Sequence, residues 1–90
     1  MRTTIWKYPL ASQNGLQLIP MPSDSVVLRF GLQDDQPYVW AEVDPESEQA
    51  MKEFVIVGTG HKLPQGLFRY IGSCEDGPFV WHLYANTPNG

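Results

Sequence analysis

The sequence predicts an all-β fold: a small single-domain antiparallel barrel or sandwich of about six to seven short strands. Three observations carry that expectation. Runs of β-branched and aromatic residues recur along the 90-residue chain, several with apolar residues on every second position. Each run is closed by Gly, Pro, Asn or Asp, which turns favour because they tolerate or impose unusual φ angles. Only one segment, "DPESEQAMKE", has helical character, and it is short.

The elements follow in order. "TTIWKY" (Thr3 to Tyr8) reads as a strand ending at Pro9. "LQLI" (Leu16 to Ile19) follows the Asn14-Gly15 turn signal and stops at "PMP". "SVVLRFGL" (Ser25 to Leu32) and "YVWAEV" (Tyr38 to Val43) flank the polar "QDDQP", the pattern of a β-hairpin. In "DPESEQAMKE", Asp44 can cap, Pro45 suits a first helical position and acidic residues fill the first turn. At most one short helical turn is expected near 45–52, or simply a hairpin loop. "FVIVG" (Phe54 to Gly58), "LFRYIGS" (Leu67 to Ser73) and "FVWHLY" (Phe79 to Tyr84) complete the strands. Asp76-Gly77 marks a tight turn before the last strand, and 85–90 is expected to fray.

Composition narrows the function classes. Hydrophobic residues make up 42% and aromatics 12% of the chain, with charged residues at only 18%, so a packed core is expected. Ten acidic and six basic residues give a net charge of −4 without a basic face, which argues against nucleic-acid binding. "MRTTIWKYPL" has no long apolar run of the signal-peptide kind. No stretch approaches the ~20 apolar residues of a spanning helix, so no membrane role is expected. Cys74 is the single cysteine, which excludes an internal disulfide and suits a reducing compartment.

The stretch "VGTGHKLPQG" invites a phosphate-loop reading, but its spacing fails. Gly58 and Gly60 are one residue apart, and Leu63-Pro64 follow Lys62 where a helix should continue. The glycines are better explained by a turn or bulge needing positive φ. His61 stands at the exit of this loop and is the more exposed histidine by expectation. His82, between Trp81 and Leu83, reads as a structural histidine with one ring nitrogen hydrogen-bonded. His61, His82 and Cys74 fall on different elements without metal-ligand spacing, so no metal and no cofactor are expected. Ser23, Asp24 and Ser25 lack a nucleophile elbow and read as a turn before Val26. Asp34 and Asp35 read as a solvated hairpin tip, and Glu46, Glu48 and Glu53 as surface charges. No catalytic residue is assigned.

Aromatic residues are the remaining signal. Trp40 and Trp81 are expected to fill the core. Trp6, Tyr8 and Tyr84, near the chain ends, are candidates for a protein interface, where a large apolar body with a polar tip is favoured. The binding candidates are therefore Gly58, Thr59, Gly60, His61, Lys62, Trp6, Tyr8 and Tyr84.

"TIWKYPL", "VWAEVDP", "VGTGH", "YIGS" and "FVWHLY" together resemble a family of short uncharacterised proteins of tailed bacteriophages and prophages, from Thr4 to about Tyr84. "ASQNGLQLIP" and "ANTPNG" depart from that family's pattern. The resemblance carries no activity or catalytic residue. It implies a phage protein in the cytoplasm of the bacterial host. Together with the small size, the surplus aromatics and the absence of catalytic motifs, it makes the expected role non-enzymatic binding of a host or phage protein, of the host-takeover or anti-defence kind. Homodimerisation through edge strands is a further expectation. The alternative is a small-molecule or nucleotide-metabolite binder using the 58–66 loop, with Lys62 and Arg69 offered to an anion. A hydrolytic enzyme using His61 comes third.

Overall fold

The computed structural model describes residues 1–11, 15–66 and 68–86. Its seven strands among these residues are β1 (Thr4–Pro9), β2 (Gly15–Pro22), β3 (Val26–Gln33), β4 (Gln36–Val43), β5 (Gln49–Gly58), β6 (Phe68–Asp76) and β7 (Phe79–Asn86). They form a three-stranded sheet in the order β1-β4-β3 and a four-stranded sheet in the order β2-β5-β7-β6, with every pairing antiparallel. The all-β expectation holds, as two sheets that do not close into a barrel. Where the sheets approach, β3 meets β6. Each of those two strands carries a bulge, between Val27 and Arg29 and between Tyr70 and Gly72. Bulges add local twist and bend the strand, which suits edges that must turn toward one another.

Alternation decides the core. Along β4, Pro37, Val39, Ala41 and Val43 are buried, while Tyr38, Trp40 and Glu42 point the other way. Phe54 and Ile56 of β5 and Leu83 of β7 face inward from the second sheet and pack with Leu10, Met21, Phe30 and Val39. Ile56 and Leu83 are direct cross-strand partners, so the apolar rows of adjacent strands line up. Tyr8, Ile71, Cys74 and Trp81 close the margins of this core.

Both hairpin turns have the backbone angles of two-residue hairpin loops. Asp34 and Asp35 have φ of 53° and 64°, the two positive angles of a type I′ turn between Gln33 and Gln36. Gly77 has φ of 57° and precedes Pro78, whose ring fixes a negative φ, the sign pattern of type II′. That turn is closed by the Asp76–Phe79 pair, so β6 runs on through Cys74, Glu75 and Asp76.

Three expectations are corrected. Gln49 to Lys52 are strand rather than a helical turn, and the capping signal is spent on a tight turn at 44–47. There the Glu46 N–H donates to Asp44 Oδ1 at 3.0 Å and the Ser47 N–H to the Asp44 carbonyl at 3.1 Å. The cause is β2, which continues through the prolines and pairs Met21 with Ala50 and Pro22 with Gln49. Cross-strand partners thus override a weak local preference. Trp40 lies on the outer face of its sheet instead of in the core. Arg29 stacks over its ring at 5.0 Å from the ring centroid. The chain remains strand through Asn86, beyond the expected end at Tyr84. Asn14, Leu67 and 87–90, which carried a turn signal, a strand start and most of the tail, lie outside the described residues.

Candidate functional site

The site is built on the outer face of the four-stranded sheet. Register places Leu16 beside Val55, Val55 beside Tyr84 and Tyr84 beside Tyr70, one row crossing all four strands. The next row joins Val57, His82 and Ser73, and on the other side Leu18 pairs with Glu53 and Pro20 with Met51. Leu16, Leu18, Met51 and Tyr70 are 58, 52, 58 and 49% exposed, a run of large apolar side chains on one face. The outer face of the three-stranded sheet differs. There Tyr38 and Trp40 lie 5.8 Å apart under Lys7 and Arg29, while Ile5 and Val26, on either side of Glu42, are 55 and 40% exposed.

Val55 and Val57 share the outer face with these exposed neighbours yet are buried. The connection after β5 lies beside them, and its conformation explains the glycines. Gly58 is buried, and a Cβ there would stand 2.9 Å from His61 Nδ1 and 3.4 Å from the Trp81 ring. The His61 N–H donates to the Gly58 carbonyl at 3.0 Å and the Thr59 N–H to the Val80 carbonyl at 3.2 Å. Gly60 and Gly66 have φ of 91° and 118°, which side-chain-bearing residues rarely adopt. The loop is therefore a turn that folds His61 back against the end of β5.

Two concavities flank it. The larger, of about 550 Å³, is walled by Leu16, Val55, Val57, Pro64 and Phe68, with His61, Lys62 and Gln65 as its polar groups. The smaller, of about 200 Å³, lies between Gly58-Thr59 and the Pro78–Trp81 segment. His61 lines both.

His82 is more engaged than its sequence position implied. Its Nε2 lies 2.9 Å from Thr59 Oγ1 and its Nδ1 lies 3.1 Å from the Tyr70 hydroxyl. The Thr59 hydroxyl also lies 3.3 Å from the Val80 carbonyl. The roles at the two ring nitrogens depend on the tautomer: where the Thr59 hydroxyl donates to Val80, Nε2–H donates to Thr59, and where Nε2 is unprotonated, the Thr59 hydroxyl donates to it. The chain of bonds fixes the imidazole beside Tyr70, which packs edge-on against Tyr84 at 5.3 Å.

Of the candidates named from sequence, Gly58, Thr59, Gly60, His61 and Lys62 gather at one end of this face, and Tyr84 lies on it. Trp6 and Tyr8 belong to β1 in the other sheet. Trp6 is 40% exposed at that edge, whereas Tyr8 packs on the core with its hydroxyl buried and its acidity weakened by burial. Leu16, Leu18, Met51, Phe68, Tyr70 and the Thr59–His82 contact were missed. His82 and Tyr84, two positions apart, share a face of β7, and the β6–β7 register brings Tyr70 to them. Cys74 packs on the core margin, its thiol pushed to higher pKa by burial and, secondarily, by Asp76. Among the described residues no three His, Cys, Asp or Glu side chains converge as metal ligands, and no helix is long and apolar enough to cross a membrane.

Over residues 1–90 the sequence matches the family model of a domain of unknown function, DUF7352. The chain belongs to that family. It matches no curated protein and no solved structure.

Proposed function

We propose that the domain is a non-enzymatic binding module that engages a protein partner through the outer face of its four-stranded sheet. The carrying observation is the exposed apolar surface of Leu16, Leu18, Met51 and Tyr70 on one face; the outer face of the other sheet exposes only Ile5 and Val26 among its paired large apolar side chains, with Tyr38 and Trp40 under Lys7 and Arg29. Exposed apolar side chains gathered on one face mark interaction surfaces, and tyrosines are favoured there. The resemblance of "TIWKYPL" and "FVWHLY" to phage and prophage proteins supports a host or phage protein as the partner and the bacterial cytoplasm as the place. The single cysteine is compatible with that compartment.

The test is affinity capture from bacterial lysate, followed by titration of the purified candidate against wild type and a Leu18→Lys/Met51→Lys variant. Saturable binding that falls at least about tenfold in the variant is the expected result. Equal binding by both proteins, or no saturable partner, sinks the reading. Both side chains are more than half exposed, so the variant should retain wild-type stability to within about 0.5 kcal/mol.

A second reading is favoured by the larger pocket: capture of a small molecule. Its volume of about 550 Å³ and largely apolar walls lie within the usual range of ligand sites.

A further inference from the structure

We infer that the pocket beside the 61–65 segment selects small ligands with an apolar, preferably aromatic, body and one anionic group. This rests on the small-molecule reading and names its ligand class. The body is specified by the walls. Val55 and Val57 form the floor, with Leu16 and Phe68 among the apolar residues around them. These groups offer dispersion and hydrophobic contact but few hydrogen bonds, so a polar body would lose its hydration without replacement.

The anionic group is specified by charge. The chain carries ten acidic residues and a net charge of −4, yet among the described residues lining this pocket there is no Asp or Glu. Lys62 brings a formal positive charge to the lining, and His61 and Gln65 add polar groups of their own. A cation would meet Lys62 with no carboxylate in the lining to compensate, whereas a carboxylate or sulfonate can meet the ammonium while its body rests on Val57. Lys62 is exposed, so this attraction is that of a surface pair, modest and weakened by salt.

Two probes share one body and differ in charge: 8-anilinonaphthalene-1-sulfonate and its uncharged parent, N-phenyl-1-naphthylamine. Each is titrated at low salt into the folded, ¹⁵N-labelled full chain, with fluorescence giving affinity and amide shifts giving location. The anionic probe should bind more tightly, moving the amides of Leu16, Val57, Lys62 and Gln65. Lys62→Ala should weaken it by about threefold to fivefold while leaving the uncharged probe unchanged. Lys62→Glu should weaken it further, and added salt should erase the difference between the probes. If both probes bind at these amides with equal affinity and Lys62→Ala changes neither, the ligand class is wrong although the pocket binds. If neither binds, or the shifts fall elsewhere, the small-molecule reading fails with it.

Discussion

Gly58 and Gly60 stand two positions apart and are glycine for different reasons. At Gly58 the constraint is space, because the His61 ring and Trp81 occupy the place of a side chain. At Gly60 no atom lies within 4 Å of a would-be Cβ, and the constraint is φ of 91°. The two alanine variants should therefore fail differently. Gly60→Ala should lower unfolding stability by about 1–2 kcal/mol through backbone strain, with the loop's contacts retained. Gly58→Ala has no such strain to bear, but its Cβ would stand 2.9 Å from His61 Nδ1, so the exposed ring must shift. It should cost less, about 1 kcal/mol or under, but shift the His61 ring resonances. Urea unfolding with histidine NMR checks both. Identical losses with an unmoved His61 ring would contradict the packing described.

At the scale of elements, the β3–β4 hairpin shows sequence and turn type in mild conflict. Type I′ places both central residues in the left-handed region, where Asn-Gly or Asp-Gly is preferred. The chain supplies Asp34-Asp35, so a β-carbon at position 35 is held at φ of 64° and two carboxylates adjoin at the tip. Asp35→Gly should raise stability by about 1 kcal/mol, seen as a higher denaturant midpoint at unchanged slope. A loss would mean that the Asp35 side chain stabilises the hairpin. The 44–53 segment illustrates the opposite relation. Asp44, Pro45 and Glu46 carry helix-start chemistry, but Ala50 and Met51 meet partners in the long β2, and the segment becomes a turn plus strand. β2 itself exceeds its apparent end because Pro20 and Pro22 lie on an edge strand, where a missing N–H is tolerated.

For the whole molecule, stability should weaken on the alkaline side, and the sign follows from two groups. Cys74 and Tyr8 are both shifted to higher pKa in the fold, chiefly by burial. As pH rises past a free thiol's value of about 8.5, and then a free phenol's of about 10, the unfolded chain releases protons that the folded chain retains. The unfolded state then binds fewer protons, so folding stability falls with rising pH over that window. Thermal unfolding from pH 7 to pH 10.5 should show a decreasing midpoint, and Cys74→Ala should blunt the portion of the fall that begins near pH 8.5. A flat profile would mean that neither group is held protonated by the fold.

The two faces of the four-stranded sheet divide what the sequence settled from what the assembled fold settled. Alternation in "FVWHLY" and "YVWAEV" sorts the residues of each strand onto two faces, because side-chain direction has a period of two and is local, but it does not say which face is covered, and Trp40 was expected on the wrong one. The turn residues announced both hairpins, and "VGTGH" announced a strand-ending turn, for the same local reason. Pairing between strands is not local. Leu16, Val55, Tyr84 and Tyr70 span 68 positions of sequence difference, from 16 to 84, and become one row only through three successive registers. The β6–β7 register brings Tyr70 to His82, and the packing of the two sheets covers the Val39 side of β4 and leaves Trp40 on the outside, beyond the core it was expected to fill. The sequence by itself determined the class of fold, the turns and the sides of each strand. Tertiary structure alone decided which face of each sheet is covered and which apolar side chains gather on the outside, because coverage depends on neighbours that only register and sheet order bring together.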